Sequence, residues 1–454
     1  MSNVRAPWFA FYGDVDQNLS YPDVSMFDMV ERAANLYPTV NAVTFMGKAT
    51  KFQDLVKQIR QTARAFAAIG IQKGDKVTLC MPNCPQIVLC FYALNRIGAI
   101  ASMIHPLSSV GEIAFYIKDS GYKAVVSLDA FYGKFEEVRK QVSFDTLVLT
   151  SVKDALSPVM KLGFALTEGR KVPKIPKGAN VVYWNAFQAG AKKKDESCFV
   201  ERRGGDAAVI LFSGGDTLSI ELKKKFDTFL AEHGATVQVR EGYGTTECVT
   251  ASCLTPYDMY REGSIGLPFP DTYYKIVIPG TMVEAPYGED GEICLCGPSV
   301  MMEYINQPEE TANVLKKHAD GHVWLHTGDL GNMDADGFIF FKQRIKRLII
   351  TSGYNVYPSQ VENAIDAHEK VLMSCVIGVP DSYRMQKIKA FVVLKPNTLP
   401  TPTLKDEILS HCSRLVAKYA MPYDIEFRSE LPKTLVGKVA YTILEKEELA
   451  KQAI

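Results

Sequence analysis

The sequence predicts an α/β protein: a large N-terminal domain of doubly wound, mostly parallel sheets with a small β-rich subdomain, followed by a small α+β domain at the C-terminus. Three observations lead there. Helical and strand patterns alternate from Phe27 onwards, the arrangement of parallel sheets covered by helices. Short strands and turns replace that alternation after Asp271. A further mixed set follows Arg344, and 454 residues exceed what one ordinary core organises.

Each element has its own warrant. Phe27 to Tyr37 carries Phe27, Val30 and Ala34 at helical spacing, and Phe52 to Ile69 repeats this with Leu55, Ile59, Ala63 and Phe66 before Gly70. Asp75 to Cys80 reads as a strand stopped at Pro82. A helix from Gln86 to Ile97, a strand from Ala99 to Ile104, a helix from Gly111 to Ser120 and a strand from Ala124 to Leu128 follow. Strand 207–212, helix 220–233 and strand 236–239 form another βαβ pattern. Short strands are expected at Tyr274 to Ile278, Glu292 to Cys296 and Gly337 to Phe341. Beyond residue 343 come strand Leu348 to Thr351, helix Pro358 to Ala367, strands Leu372 to Val379 and Lys389 to Leu394, and helix Leu404 to Leu415. The domains divide as 1–342 and 343–454.

Residues 151–177 differ. Pro158, Pro173 and Pro176, with basic residues between, predict a surface excursion. Its centre, Val159 to Leu166, is apolar with basic flanks. A loop helix tucked against its own domain is the expectation, with peripheral contact to a membrane surface as the alternative.

Composition excludes several classes. Lys plus Arg and Asp plus Glu are 51 each, giving zero formal charge, so nothing favours a nucleic-acid partner. Ten cysteines without a paired Cys-x-x-Cys pattern predict neither zinc ribbon nor disulfide framework; buried, reduced thiols are expected. The run from Ile87 to Ile104 is broken by Asn95 and Arg96 and reads as a core helix rather than a span. No apolar signal segment opens the sequence, so a cytoplasmic protein is expected. His318, His322 and His326 are four apart, but Asp320 and Gly321 interrupt a helix and His326 is assigned to a turn, so the trio is not read as a metal site.

Four short stretches carry chemistry. Gly242 and Gly244 let backbone approach a ligand. Around them Tyr243, Thr245, Thr246 and Glu247 supply an aromatic face, hydroxyls and a carboxylate for magnesium, which prefers oxygen ligands. His326, Thr327, Gly328 and Asp329 present a carboxylate from what reads as a tight turn, suited to vicinal ribose hydroxyls. Arg344 to Pro358 joins the domains. Leu431 to Lys438 ends in a lysine able to meet charge developing on an α-phosphate.

In this order the motifs resemble those of the acyl-CoA synthetases of the adenylate-forming superfamily, over nearly the whole chain and including Lys73 to Val77 and Met81 to Asn83. The resemblance implies that Tyr243 stacks on adenine, Thr246 touches phosphate, Glu247 holds Mg2+, and Asp329 and Arg344 bind the ribose. It places Lys346 at the hinge of a mobile C-terminal domain, Gly353 and Tyr354 in the loop facing the pantetheine tunnel, and Lys438 as the adenylation lysine. ATP, Mg2+ and coenzyme A are the implied cofactors and co-substrates. The partner is a small carboxylic acid, nearest to the medium- or long-chain fatty acids of bacterial-type synthetases.

One part departs from that family. Its phosphate loop runs into Gly-x-Pro-Lys, whereas here Ser213, Gly214 and Gly215 begin it and Asp216 follows, adding an anion where the triphosphate would sit. Ser-Gly-Gly also opens a later family segment, so the chain reads as joined near 215/216 with part of the N-terminal domain missing. Impaired activity is expected. An adenylation enzyme loading a carrier protein and an inactive nucleotide- or acyl-binding remnant are the alternative readings.

Overall fold

The computed structural model describes residues 4–120, 122–212, 220–235, 239–249, 251–433 and 439–452. They form two compact units, Ser20–Phe212 and Met1–Leu19 with Ser213–Ile454.

Unit Ser20–Phe212 is built on a six-stranded sheet. Its order is Val182–Tyr183, Thr146–Thr150, Ala124–Leu128, Lys76–Cys80, Ile100–Met103, Val209–Leu211, with every pair parallel. The strands are short apolar runs because both faces are covered. Along the central strand, Ala124, Val126 and Leu128 join one core with Ile59, Phe66, Leu94 and Phe187. Val125 points into a second core with Ile113, Ile117, Phe135 and Val138. Full burial stabilises each large side chain by about 1.5–3 kcal/mol.

The helices that make these cores lie where periodicity put them: Met26–Leu36, Phe52–Ala68, Pro85–Arg96 and Val110–Ser120. Ser25 caps the first in a reciprocal capping box with Asp28. Among the described residues, no helix is long and apolar enough to cross a membrane. The edge strand Val209–Leu211 runs into Phe212, which stacks on Tyr116 at 4.0 Å. Ser213 to Asp216, the opening of the expected phosphate loop, lie outside the described residues, as do 236–238 of the strand read at 236–239.

The other unit contains two larger sheets, one antiparallel and one mixed. Tyr273–Val277, Gly291–Cys296, Val323–Met333, Leu315–Lys317 and Ile339–Arg344 form one five-stranded sheet, with Trp8, Tyr274, Trp324 and Phe338 buried against it. A small three-stranded sheet, Gly242–Tyr243, Cys253–Leu254 and Leu267–Pro268, packs into the same core. Close packing there depends on Gly266: a Cβ would come within 2.0 Å of the Leu254 carbonyl carbon, and its φ is +99°.

Residues 349–428 carry a sheet of Tyr354–Val356, Ile349–Thr351, Met385–Leu394 and Val371–Asp381, with Asp424–Arg428 added in parallel. Helices Pro358–Asp366 and Pro402–Cys412 fill its core through Val361, Ile365, Leu404 and Ile408. This is the expected α+β arrangement. The preceding strand extends through Arg344, so Gln343 and Arg344 hydrogen-bond with the β-rich sheet.

Two expectations fail. Helix Pro158–Leu166 is present, but none of its residues is buried, so it does not tuck against its domain; half-buried Phe164 is its deepest contact. The second concerns Asp329, which does not sit in a tight turn. It belongs to the eleven-residue strand Val323–Met333, as does His326.

Candidate active site

The strand holding Asp329 makes room for it with a bulge. Cys294 pairs with His326, yet Glu292 pairs with Leu330, so Thr327, Gly328 and Asp329 loop out of the ladder. Gly328 takes φ +70° to do so. Side chains replace the lost ladder bonds: Gly328 N–H donates to Glu292 Oε1 at 3.0 Å, the Thr327 hydroxyl to the Ile293 carbonyl at 2.7 Å, and Asp329 N–H to Thr327 Oγ1 at 3.1 Å. The sequence marks this bulge only by its glycine.

Asp329 is 1% exposed and is held from two sides. The Tyr243 hydroxyl donates to its Oδ2 at 2.5 Å, and Arg344 Nε lies 2.8 Å from its Oδ1 as an ion pair. Arg344 faces Asp329 directly across the strands and also reaches the Thr327 carbonyl at 3.3 Å. Burial raises the Asp329 carboxyl above its ordinary range, with Glu247 and Glu292 adding to the rise, while Arg344 and Tyr243 oppose it. Tyr243 is raised well above its usual value, first by burial and then by the Asp329 charge.

Tyr243 lies in a short strand and its ring is 6.1 Å from that of Phe341. Thr245 caps the short 3-10 turn Thr246–Cys248 that follows. Val249 closes the turn at φ +70°, a strained conformation for a β-branched residue and of the kind found at ligand sites. Glu247 accepts from the Tyr304 hydroxyl at 2.6 Å, and its backbone carbonyl accepts from Met301 N–H at 2.7 Å. Tyr304 was missed in the sequence: 57 residues separate it from Glu247, and no spacing or turn signal marks it.

Behind the bulge runs a buried polar chain. His326 Nδ1 is 2.8 Å from Glu292 Oε2, and its Nε2 is 2.9 Å from His318 Nε2. Burial, then the Lys275 and His326 charges, pushes His318 down to about 4. Burial pushes Glu292 up, but His326 outweighs it and the carboxyl ends below its ordinary range. Glu292 thus serves both His326 and Gly328, tying the chain to the backbone that carries Asp329.

The structure therefore brings together Tyr243, Asp329 and Arg344, with Thr245, Thr246 and Glu247 on the adjoining turn. Gly244 is exposed between them. Lys346 is an exposed residue of the turn Ile345–Arg347. Gly353, at φ +79°, turns the hairpin Ile349–Val356, and Tyr354 stacks on Tyr419 at 4.5 Å. Lys438, like Ser213, Gly214, Gly215 and Asp216, lies outside the described residues. All ten cysteines are free, and every one except half-buried Cys198 is buried.

Comparison with known proteins gives the family of the chain. The AMP-binding enzyme family model matches residues 30–185 and 180–305, and the AMP-binding enzyme C-terminal domain model matches 360–438. A long-chain-fatty-acid–CoA ligase of Bacillus subtilis (strain 168) is 30% identical over 98% of this chain and 98% of its own length. One of Salmonella typhimurium is 29% identical over 94% and 95%. Among solved structures, the anthranilate CoA ligase AuaEII in complex with anthranoyl-AMP superimposes with a TM-score of 0.77 at 18% identity, covering 97% of this chain and 100% of its own.

Proposed function

This chain belongs to the AMP-binding enzyme family of acyl-CoA synthetases, and from that premise we propose that it is an ATP-dependent fatty acid–CoA ligase working through an acyl-adenylate. The observation that carries the reading is the grip on Asp329. Residues 86 positions apart in sequence meet as Tyr243 and Asp329, and Arg344 closes the other side. A carboxylate buried this deeply and aimed by two partners is costly unless used. Similarity to long-chain-fatty-acid–CoA ligases over nearly the full chain supports a fatty acyl substrate.

In the first half-reaction a carboxylate oxygen of the fatty acid attacks the α-phosphorus of ATP, and the bond to pyrophosphate breaks. In the second, the CoA sulfur attacks the acyl carbonyl and AMP leaves. Asp329 would accept from the ribose hydroxyls and Arg344 would donate to the ribose oxygens, while the Tyr243 ring lies against adenine. Thr246 would donate to phosphate, with Thr245 and Gly244 shaping the turn. The donor set fits Mg2+, since Glu247 brings a carboxylate and this hard cation completes its shell with phosphate oxygens and water. Bound there, the ion would neutralise phosphate charge. Lys438 would meet the charge on the α-phosphate, and Lys346, Gly353 and Tyr354 would serve a C-terminal domain, 343–454, that moves between the two steps. A cytoplasmic setting belongs to the same reading.

Reduced activity is part of this proposal. The alignment with the Bacillus relative runs over 567 positions although the chain holds 454 residues, so more than a hundred positions of that relative face no residue here. The family match likewise falls into two stretches, which meet at 180–185, upstream of the junction read near 215/216. The length of the alignment supports an internally shortened N-terminal domain, and the incomplete phosphate loop is the part of the proposal that rests on Ser213 to Asp216 in the sequence.

Pyrophosphate exchange driven by a panel of fatty and aromatic acids tests the reading. Slow exchange that requires a fatty acid is expected. Robust exchange would overturn the impairment, and a preference for aromatic acids would overturn the substrate class. CoA-dependent release of AMP separates the ligase from a carrier-loading enzyme. Binding of a non-hydrolysable acyl-adenylate analogue without any exchange would identify an inactive remnant.

A further inference from the structure

Helix Pro158–Leu166 is the least explained element of the unit Ser20–Phe212. Ser157 caps it, its side chain accepting from Met160 N–H at 3.4 Å, and Pro158 starts it. It is thus a formed helix in a segment with ample reason to be one. Yet Val159, Leu162 and Leu166 are 81%, 66% and 57% exposed. Their i, i+3, i+7 spacing puts them on one face. Single exposed leucines are ordinary, but an apolar face on one short helix is not.

Among the described residues, none of its own unit buries that face. On the opposite side, Lys161, Phe164 and Ala165 border a cavity of about 540 Å³ that Asp129 and Trp184 also line. That side of the helix therefore borders a cavity, with only Phe164 half-buried. Charge identifies what would complete it. Residues 151–177 contain six basic and two acidic residues, an excess of four positive charges in a chain whose formal charge is zero. All six basic residues are exposed. Of the two acids, Glu168 is paired with Lys171 at 2.7 Å, and Asp154 is bonded to Ser151 N–H at 2.9 Å.

We propose that this helix and its basic surroundings dock the protein on an anionic lipid surface. Val159, Leu162 and Leu166 enter the headgroup boundary, while the exposed Arg170, Lys174 and Lys177 contact lipid phosphates through long, flexible stems. A protein partner would have to match an apolar stripe fringed by cations. A bilayer containing anionic lipid supplies both complements in one plane. The proposal stands independently of the ligase reading.

Vesicle flotation of the full chain tests it, because aggregated protein does not float. The chain should rise with vesicles of phosphatidylcholine and phosphatidylglycerol, stay down with phosphatidylcholine alone, and be released by salt. Leu162→Asp with Leu166→Asp should lower the floating fraction about tenfold without changing the far-ultraviolet circular dichroism. Arg170→Glu with Lys174→Glu, which leaves the apolar face intact, should do the same. Absence of flotation, equal flotation with both vesicle types, or wild-type flotation of both variants would overturn the proposal. So would lipid-free self-association that the leucine substitutions abolish, since the face would then belong to a second copy of the chain.

Discussion

The Tyr243 hydroxyl donates to Asp329 Oδ2 at 2.5 Å, joining a three-stranded sheet to a bulge in a five-stranded one. Each partner is costly alone: a buried carboxylate needs donors, and a buried phenol needs an acceptor. Tyr243→Phe is therefore expected to cost about 1–3 kcal/mol in urea unfolding.

Asp329→Asn should behave differently. The folded carboxyl titrates above its ordinary value of 3.8 because it is buried, so the folded state binds this proton more tightly than the unfolded chain. Its stabilising contribution is present at low pH and is lost as pH rises through the folded value. At neutral pH the asparagine variant should be as stable as the parent or more so, because Arg344 is largely exposed and its ion pair is screened. It should nevertheless lose nucleotide affinity. Melting curves against pH, set beside ATP binding, check both halves; a large loss of stability at neutral pH would contradict the account.

Tyr304 fixes one oxygen of Glu247 at 2.6 Å. If Glu247 holds the magnesium, Tyr304→Phe removes the bond that orients the ligand, and such outer partners are worth about 10-fold or more in metal affinity or activity. The magnesium concentration for half-maximal exchange should rise, with little change in the melting temperature. An unchanged magnesium response would remove Glu247 from the metal role.

Lys389 governs acid stability in the C-terminal region. Its buried ammonium pairs with Glu426 at 2.8 Å and Glu448 at 2.9 Å. Burial pushes Glu426 up, but hydrogen bonds from Lys389 and Lys451 prevail and bring it to about 2. A depressed carboxyl stabilises the fold above its ordinary value of 4.5, and that contribution is lost as pH falls towards 2. Lys389→Met should flatten this acid limb. It should also cost about 1–3 kcal/mol at neutral pH, a loss limited because Lys451 still pairs with both carboxylates and Arg428 with Glu426. Thermal unfolding between pH 2 and 7 reads both effects.

Local pattern was enough to locate most of the fold. The helix around Ile59 and Phe66 and the strand Ala124–Leu128 announce themselves by periodicity, because one face or both must be apolar to be buried. Motif order likewise brought Tyr243, Glu247, Asp329 and Arg344 to attention before any contact was known. Periodicity is silent on backbone irregularity, which is why the Asp329 bulge read as a turn. It is silent too on a partner such as Tyr304, whose role depends on where a distant loop returns.

The sequence by itself determined the alternation of elements and the ordered chemistry, since these are properties of neighbours along the chain. Tertiary structure alone decided that Asp329 is gripped by Tyr243 and Arg344, that Glu292 holds the bulge through Gly328, and that helix Pro158–Leu166 is left uncovered. Those outcomes depend on which surfaces meet after residues far apart in sequence are packed, and apolar spacing specifies that a face be buried without specifying what buries it.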